Sequence, residues 1–346
     1  RVAGVAEAEV TVHVTLLGGG FGRRLEIDFV GQAVRVALET GGAPVQLLWS
    51  REEDMAHDFY RPAGAAFCEA RLAEDGRPAA LRIGSAGDAI TPRWMERVLP
   101  GLSTRFDLPD KTAAEGLLDH PYAIAHQRIA HLATHSGVPV GFWRSVGHSH
   151  NAFFIESFVD ELAHAAGADP LAYRLALLDE RLPRHAAVLR LAAQQAGWGQ
   201  VLPKGRARGL ALHGSFGSIV AQVVELSGEG GRPRPLRVVC ALDCGQVVNP
   251  AIVERQMEGA IVFGLTAALW GRIDIGKDGR VRQQNFPDYP LLSLAQTPRI
   301  ETHIVASSHP PGGVGEPGVP PLAPALANAW FALSGERRRR LPLLAD

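Results

Sequence analysis

From Pro310 to Pro324 the chain reads Pro-Pro-Gly-Gly-Val-Gly-Glu-Pro-Gly-Val-Pro-Pro-Leu-Ala-Pro, and no other stretch restricts its fold so strongly. Proline fixes φ and removes a backbone donor, and glycine admits backbone geometries that other residues avoid. Such a run neither continues a helix nor completes a strand ladder, so it predicts a rigid loop, followed by a helix over 324–334. Glu316 is the one charged residue in it. A glutamate in an ordinary loop is simply solvated. Here the uncharged neighbours argue for a mount that holds one carboxylate in place, which makes Glu316 a candidate general base.

The rest of the chain mixes helix and strand periods without a regular β-α-β rhythm, which predicts an α+β fold. Val10, Val12, Val14 and Leu16 alternate and predict a strand running to Leu17, and 44–49 predicts another. A helix is expected over 28–40, and Ser50 to Asp54 reads as a helical cap or a turn. A hairpin is expected over 64–83, with its turn at Glu74-Asp75-Gly76-Arg77. Residues 86–112 show little periodicity and predict an irregular excursion. Helices follow at 151–166, at 170–179 behind the cap Asp169 and at 183–197, then strands at 209–213, 219–226 and 237–242. Asn249-Pro250 reads as the cap and first position of a helix to Leu269, and 281–304 contains one more strand.

With 35 Lys and Arg against 36 Asp and Glu, the net charge is -1, and no global field draws the chain to nucleic acid. The basic run Arg337–Arg340 reads as a solvated helix end rather than a nucleic-acid patch. Three cysteines, Cys68, Cys240 and Cys244, make neither a disulfide framework nor a metal or cluster motif. No apolar run approaches the roughly 18 residues of a transmembrane span. The chain opens on Arg1 and runs straight into an apolar strand pattern, which reads as the interior of a longer or processed polypeptide.

Three further segments carry possible chemistry. Gly18-Gly19-Gly20-Phe21-Gly22 follows the first strand pattern, and glycines there let backbone N–H groups approach an anion or oxo group. It lacks the third glycine of a dinucleotide fingerprint and the Gly-Lys-Ser/Thr of a phosphate loop, so a structural turn is an equal reading. Gly141 to Asn151 places Arg144 in a loop before a helix N-terminus, a natural anion site. His148-x-His150 with Glu156 is an alternative metal set, as are His126, His131 and His135. Asp243-Cys244-Gly245 leads to Asn249-Pro250, with Gln256 facing an unassigned partner. There is no G-x-S-x-G or H-E-x-x-H.

Taken in order, these segments resemble the molybdenum hydroxylases of the xanthine dehydrogenase and aldehyde oxidase family. Gly19-Gly20-Phe21-Gly22-Arg23-Arg24, Trp49 to Met55 with His57 to Pro62, Trp143 to Gly147 with Asn151-Ala152-Phe153, and Gly335 to Leu343 are similar to isoquinoline 1-oxidoreductase beta subunits. The likeness runs through nearly the whole chain and matches the C-terminal half of the molybdopterin-binding large subunit. It implies two molybdopterin-binding regions, 1–205 and 206–346, with the N-terminal half supplied in cis or in trans. It implies a molybdopterin dinucleotide of the cytosine form, its molybdenum held by the pterin rather than by a protein ligand. Gly19, Gly20, Phe21, Gly22, Arg144 and Gly315 are then the cofactor-binding residues and Glu316 the base. A small [2Fe–2S] subunit is the implied partner. The implied reaction is hydroxylation of a carbon next to nitrogen in an isoquinoline-like ring, or oxidation of an aldehyde, with water as oxygen source. The alternative is a catalytically silent module without cofactor.

Overall fold

The computed structural model describes residues 1–99 and 110–344. The fold is α+β, as the mixed periods predict. Strands β1 (Gly64–Leu72), β2 (Pro78–Asp88) and β3 (His126–Thr134) form one sheet in that order. The first pair is antiparallel and the second parallel. Strands β4 (Arg206–Ser215), β5 (Ser218–Glu229), β6 (Arg232–Asp243) and β7 (Arg299–Ile304) form a second sheet, antiparallel except for the parallel β6–β7 pair.

The second sheet is buried on both faces, and its sequence says why. A strand covered on one side alternates, whereas one covered on both reads as a continuous apolar run. In β5, Val220 and Val224 face α9 (Leu322–Ser334) and share one apolar cluster with it and with α8 (Pro250–Leu269). The intervening Ala221 and Val223 meet α7 (Pro183–Ala196). Between the sheets runs α5 (His148–Ala165), joined by α6 (Pro170–Leu177). Its Ile155, Val159 and Leu162 pack on Leu81 and Ile83 of the first sheet.

Inside this junction Glu156 is fully buried. Its carboxylate accepts from Arg174 Nε at 2.9 Å, from the Leu212 amide at 2.9 Å and from the Tyr122 hydroxyl. Its carbonyl accepts from Arg174 Nη2 at 2.8 Å. Buried charges persist only when paired and hydrogen-bonded, and this pair meets both conditions while tying α5 to α6 and β4. Arg337 adds a bond to Asp160 Oδ2 at 2.7 Å, and Arg339 pairs with Glu161, so much of the C-terminal basic run is spent on acids of α5.

The sequence misplaced several elements. Residues 10–17 form no strand: Val12, Val14 and Leu16 are 77%, 91% and 104% exposed, since the alternating pattern has no neighbouring strand to pair with. The same holds for 44–49. Within 86–112, β2 extends to Asp88, and helices α3 (Thr91–Val98) and α4 (Lys111–Ala114) follow; residues 100–109 lie outside the described residues. Strand β3 was missed because its polar edge residues mask the period. The helices α1 (Asp28–Glu39) and α2 (Arg51–Ala56) stand where expected, α2 capped by Ser50 Oγ, which accepts from Glu53 N at 3.2 Å. No helix among the described residues is long and apolar enough to cross a membrane.

Candidate active site

Three loops converge on Glu316. Its Oε1 accepts the Ser145 amide at 3.0 Å, and the Ser145 hydroxyl donates to the Glu316 carbonyl at 2.7 Å. Arg144 Nε donates to the Gly315 carbonyl at 2.7 Å. Arg144 Nη2 reaches the same carbonyl and also Gln256 Oε1 at 3.2 Å, which supplies the partner that the sequence left unassigned for Gln256. Burial lowers the Arg144 guanidinium below its ordinary range, and the Glu316 charge pulls it back up.

The loop is clamped before and after Glu316. Gly312 N donates to the Cys244 carbonyl at 2.8 Å, and Gln246 N donates to the His309 carbonyl at 2.9 Å. Gly245, at φ 72°, leaves no room for a side chain: a Cβ there would lie 2.1 Å from the Pro310 carbonyl. On the other side Gln222 Nε2 donates to the Gly318 carbonyl at 2.7 Å. The Asp243-Cys244-Gly245 motif therefore serves as the seat of the Glu316 loop.

The glycine turn closes the site. Gly22 has φ 92°, and a Cβ there would sit 2.3 Å from the Phe142 carbonyl, so only glycine permits this approach to the Arg144 loop. Phe21 stacks on Phe263 at 5.4 Å, and Trp143 lies 4.6 Å from the same ring. The Arg144 guanidinium lies over Phe21 at 5.8 Å and over Phe263 at 5.7 Å. The structure thus brings Gly22, Phe21, Arg144, Gly315 and Glu316 together; Gly19 and Gly20 adjoin them on the same turn. Phe263 was not foreseen, although it lies seven residues, two helical turns, beyond Gln256 on α8. Phe216 was also missed. Its carbonyl accepts from Gly313 N at 2.7 Å.

Among the described residues the non-glycine positions at positive φ are Phe21, Ser145, Val146 and Phe216, all on loops around Glu316. Each such backbone costs about 1–3 kcal/mol and persists where the surroundings impose it, commonly at functional sites. Among the described residues the amides of Gly20, Phe21 and Gly22 have no hydrogen-bond partner in the chain. A Cβ at Gly20 or at Gly315 would meet nothing within 4 Å. Free N–H groups beside open space, backed by a guanidinium, suit a negatively charged cofactor with oxo ligands.

The metal alternatives do not assemble. Glu156 is committed to Arg174, His148 Nδ1 pairs with His213 Nε2 at 2.9 Å, and His150 packs edge-on against Phe154. His131 Nδ1 bonds Ser85 Oγ at 2.9 Å on β3. No group of three or more His, Cys, Asp or Glu among the described residues can hold a metal ion.

Known proteins resemble the chain along nearly its whole length. The molybdopterin cofactor-binding domain families match residues 1–177 and 190–298. The chain is 35% identical to isoquinoline 1-oxidoreductase subunit beta of Brevundimonas diminuta over 99% of its own length and 44% of that protein's. It is 30% identical to the membrane-bound pyrroloquinoline-quinone aldehyde dehydrogenase of Gluconacetobacter polyoxogenes, over 98% of its length and 46% of that protein's. Its fold superposes on quinoline 2-oxidoreductase from Pseudomonas putida 86 with a TM-score of 0.77 at 13% identity, covering 94% of this chain and 66% of that one. The chain therefore spans about half the length of the curated relatives it matches. It belongs to the molybdenum hydroxylase family, as a pair of molybdopterin cofactor-binding domains.

Proposed function

We propose that the chain forms the base-bearing part of a molybdenum hydroxylase large subunit, with the two cofactor-binding regions divided near residue 205. The single observation that carries this reading is the fixed Glu316 carboxylate, with Oε1 taken by the Ser145 amide and Arg144 bonded to the preceding carbonyl. Oε2, which has no partner among the described residues, is the atom that accepts a proton from the oxygen nucleophile derived from water. A bound molybdenum–pterin cofactor supplies the redox chemistry. Gly20, Phe21 and Gly22 donate their free amides to it. Arg144 and Gly315, with Gly19 on the glycine turn, would form the wall of its site.

The substrate is an N-heteroaromatic ring hydroxylated beside nitrogen, or an aldehyde. The aromatic wall of Phe142, Trp143 and Trp94, whose ring stands edge-on to Phe142 at 6.0 Å, supports a flat ring. The cofactor is the cytosine dinucleotide form, and the electrons pass to a small [2Fe–2S] partner subunit. The remainder of the large subunit completes the pocket.

Glu316→Gln in the complete subunit tests the reading. General base catalysis contributes typically about 10²–10⁴-fold, so turnover should fall by at least that lower bound while elemental analysis finds the same molybdenum content. Unchanged turnover would end the base assignment. Absence of molybdenum in every pairing with the remaining half and the small subunit would favour the silent module instead.

A further inference from the structure

A second acid, which the proposed reaction does not use, lies close enough to Glu316 for their charges to repel. Glu115 follows α4, and its segment is pinned to α5 by Asn151 Nδ2, which donates to the carbonyls of Ala113 and Glu115, each at 2.9 Å. Gly147 packs directly on that segment: a Cβ there would lie 2.2 Å from the Thr112 carbonyl. The Ser145 amide, two residues earlier in the same loop, donates to Glu316 Oε1, so one loop meets both Glu316 and the segment that carries Glu115. That loop turns sharply, with Ser145 at φ 74° and Val146 at φ 44°.

Behind Glu115 lies a buried histidine pair. Glu115 Oε2 is 3.8 Å from His148 Nε2, and His148 Nδ1 is 2.9 Å from His213 Nε2. His148 and His213 are 6% and 3% exposed. Burial pushes His148 down to about 4 and His213 well below its ordinary range, so both rings are neutral near pH 7. Two neutral rings sharing one N–H must have opposite roles, one donor and one acceptor. Burial, foremost, and the charges of Asp119, Asp110 and Glu316 push Glu115 up to about 7, against the Gly147 amide. The other charged or titratable neighbours are Lys111 and Asp119 facing His148, and His185 facing His213.

We propose that Glu115, His148 and His213 form a proton relay that serves Glu316. In the protonated state the Glu115 O–H points to His148 Nε2, and His148 Nδ1–H donates to His213 Nε2. When Glu316 takes up a proton, its repulsion on Glu115 is relieved. The Glu115 O–H then breaks as His148 Nε2–H forms. His148 Nδ1–H breaks as His213 Nε2–H forms, and one proton leaves His213 Nδ1 for solvent. Both rings end neutral in their other tautomers. Transfer of the Glu316 proton to Glu115 restores both carboxylates, so one passage along the relay exports one proton.

The relay rests on Glu316 as the base, but its test reads Glu115 directly. In the ¹⁵N-histidine-labelled, cofactor-free chain, difference infrared spectra should show a protonated-carboxyl C=O band that titrates near pH 7. The ring nitrogens of His148 and His213 should exchange donor and acceptor signatures over the same range. Glu115→Gln removes the band and freezes the tautomers. Glu316→Gln moves the titration to lower pH, because a charge that favours protonated Glu115 is gone. In His148→Gln the band stays but the His213 signal no longer follows it, which keeps the test available if Glu115→Gln fails to fold. A band that survives Glu115→Gln, or a His213 signal that follows the titration in His148→Gln, would overturn the relay. A Glu115 titration unmoved by Glu316→Gln would do the same, whatever the fate of turnover.

Discussion

The second sheet and the N-terminal segment each supply one side of the same site, and they hold it in opposite ways. Val220, Val224, Val238 and Leu242 are fully buried, and α9 buries a continuous run from Leu322 to Trp330. In contrast α1 buries no residue, and apolar side chains from Val10 to Leu17 stand exposed. The Glu316 loop is bolted to the first region through Cys244, Gln222 and Arg144. The Phe21 turn belongs to the second and reaches the site through one close backbone approach, one stacked ring and the Arg144 guanidinium over Phe21. Under the proposed function, the proton-accepting side is preorganised by the core, while the side assigned to the cofactor depends on a few contacts at a loop.

The largest effect should come from the buried junction. Glu156→Ala would leave the fully buried Arg174 without its carboxylate, at a cost of about 3–5 kcal/mol in urea denaturation. A loss below about 1 kcal/mol would mean that the core does not depend on this pair. Gly22→Ala probes the other region. The added Cβ meets the Phe142 carbonyl at 2.3 Å on a backbone at φ 92°, so about 1–3 kcal/mol of strain is expected. Because the turn is peripheral, that strain should appear as lost molybdenum in the complete subunit, with global melting little changed. Normal molybdenum content would show that the turn is not a cofactor contact. Smallest of all, Val12→Ser with Val14→Ser should change the stability of the chain by less than about 0.5 kcal/mol per site. A larger loss would mean that residues 10–17 are packed in solution.

The same contrast explains what the sequence disclosed. Helices with strong local signals stand where expected: Asn249 caps α8 by accepting from Ile252 N at 3.2 Å, and Asp169 caps α6. The hairpin of β1 and β2 follows its turn residues. Local period failed where pairing decides: 10–17 alternates without a partner strand, and β3 forms because β2 lies parallel beside it. Glu316 was visible as a lone charge among glycines and prolines. Its convergence with Arg144 and Phe21 was legible only through the family resemblance, since contacts across 171 residues leave no trace in spacing. Glu115 escaped notice because its chemistry comes from burial beside His148 and His213, which no local pattern reports.

The exposed stretch Val10-Thr11-Val12-His13-Val14-Thr15-Leu16-Leu17 has a further consequence. It is rich in β-formers and contains no proline and no Asp, Glu, Lys or Arg. Such a segment with an unpaired backbone is a template on which another molecule's strand can add, and repetition of that step builds fibrils. In this chain by itself, strand addition at these eight residues is the expected route to association. A single charged gatekeeper among them should slow that addition.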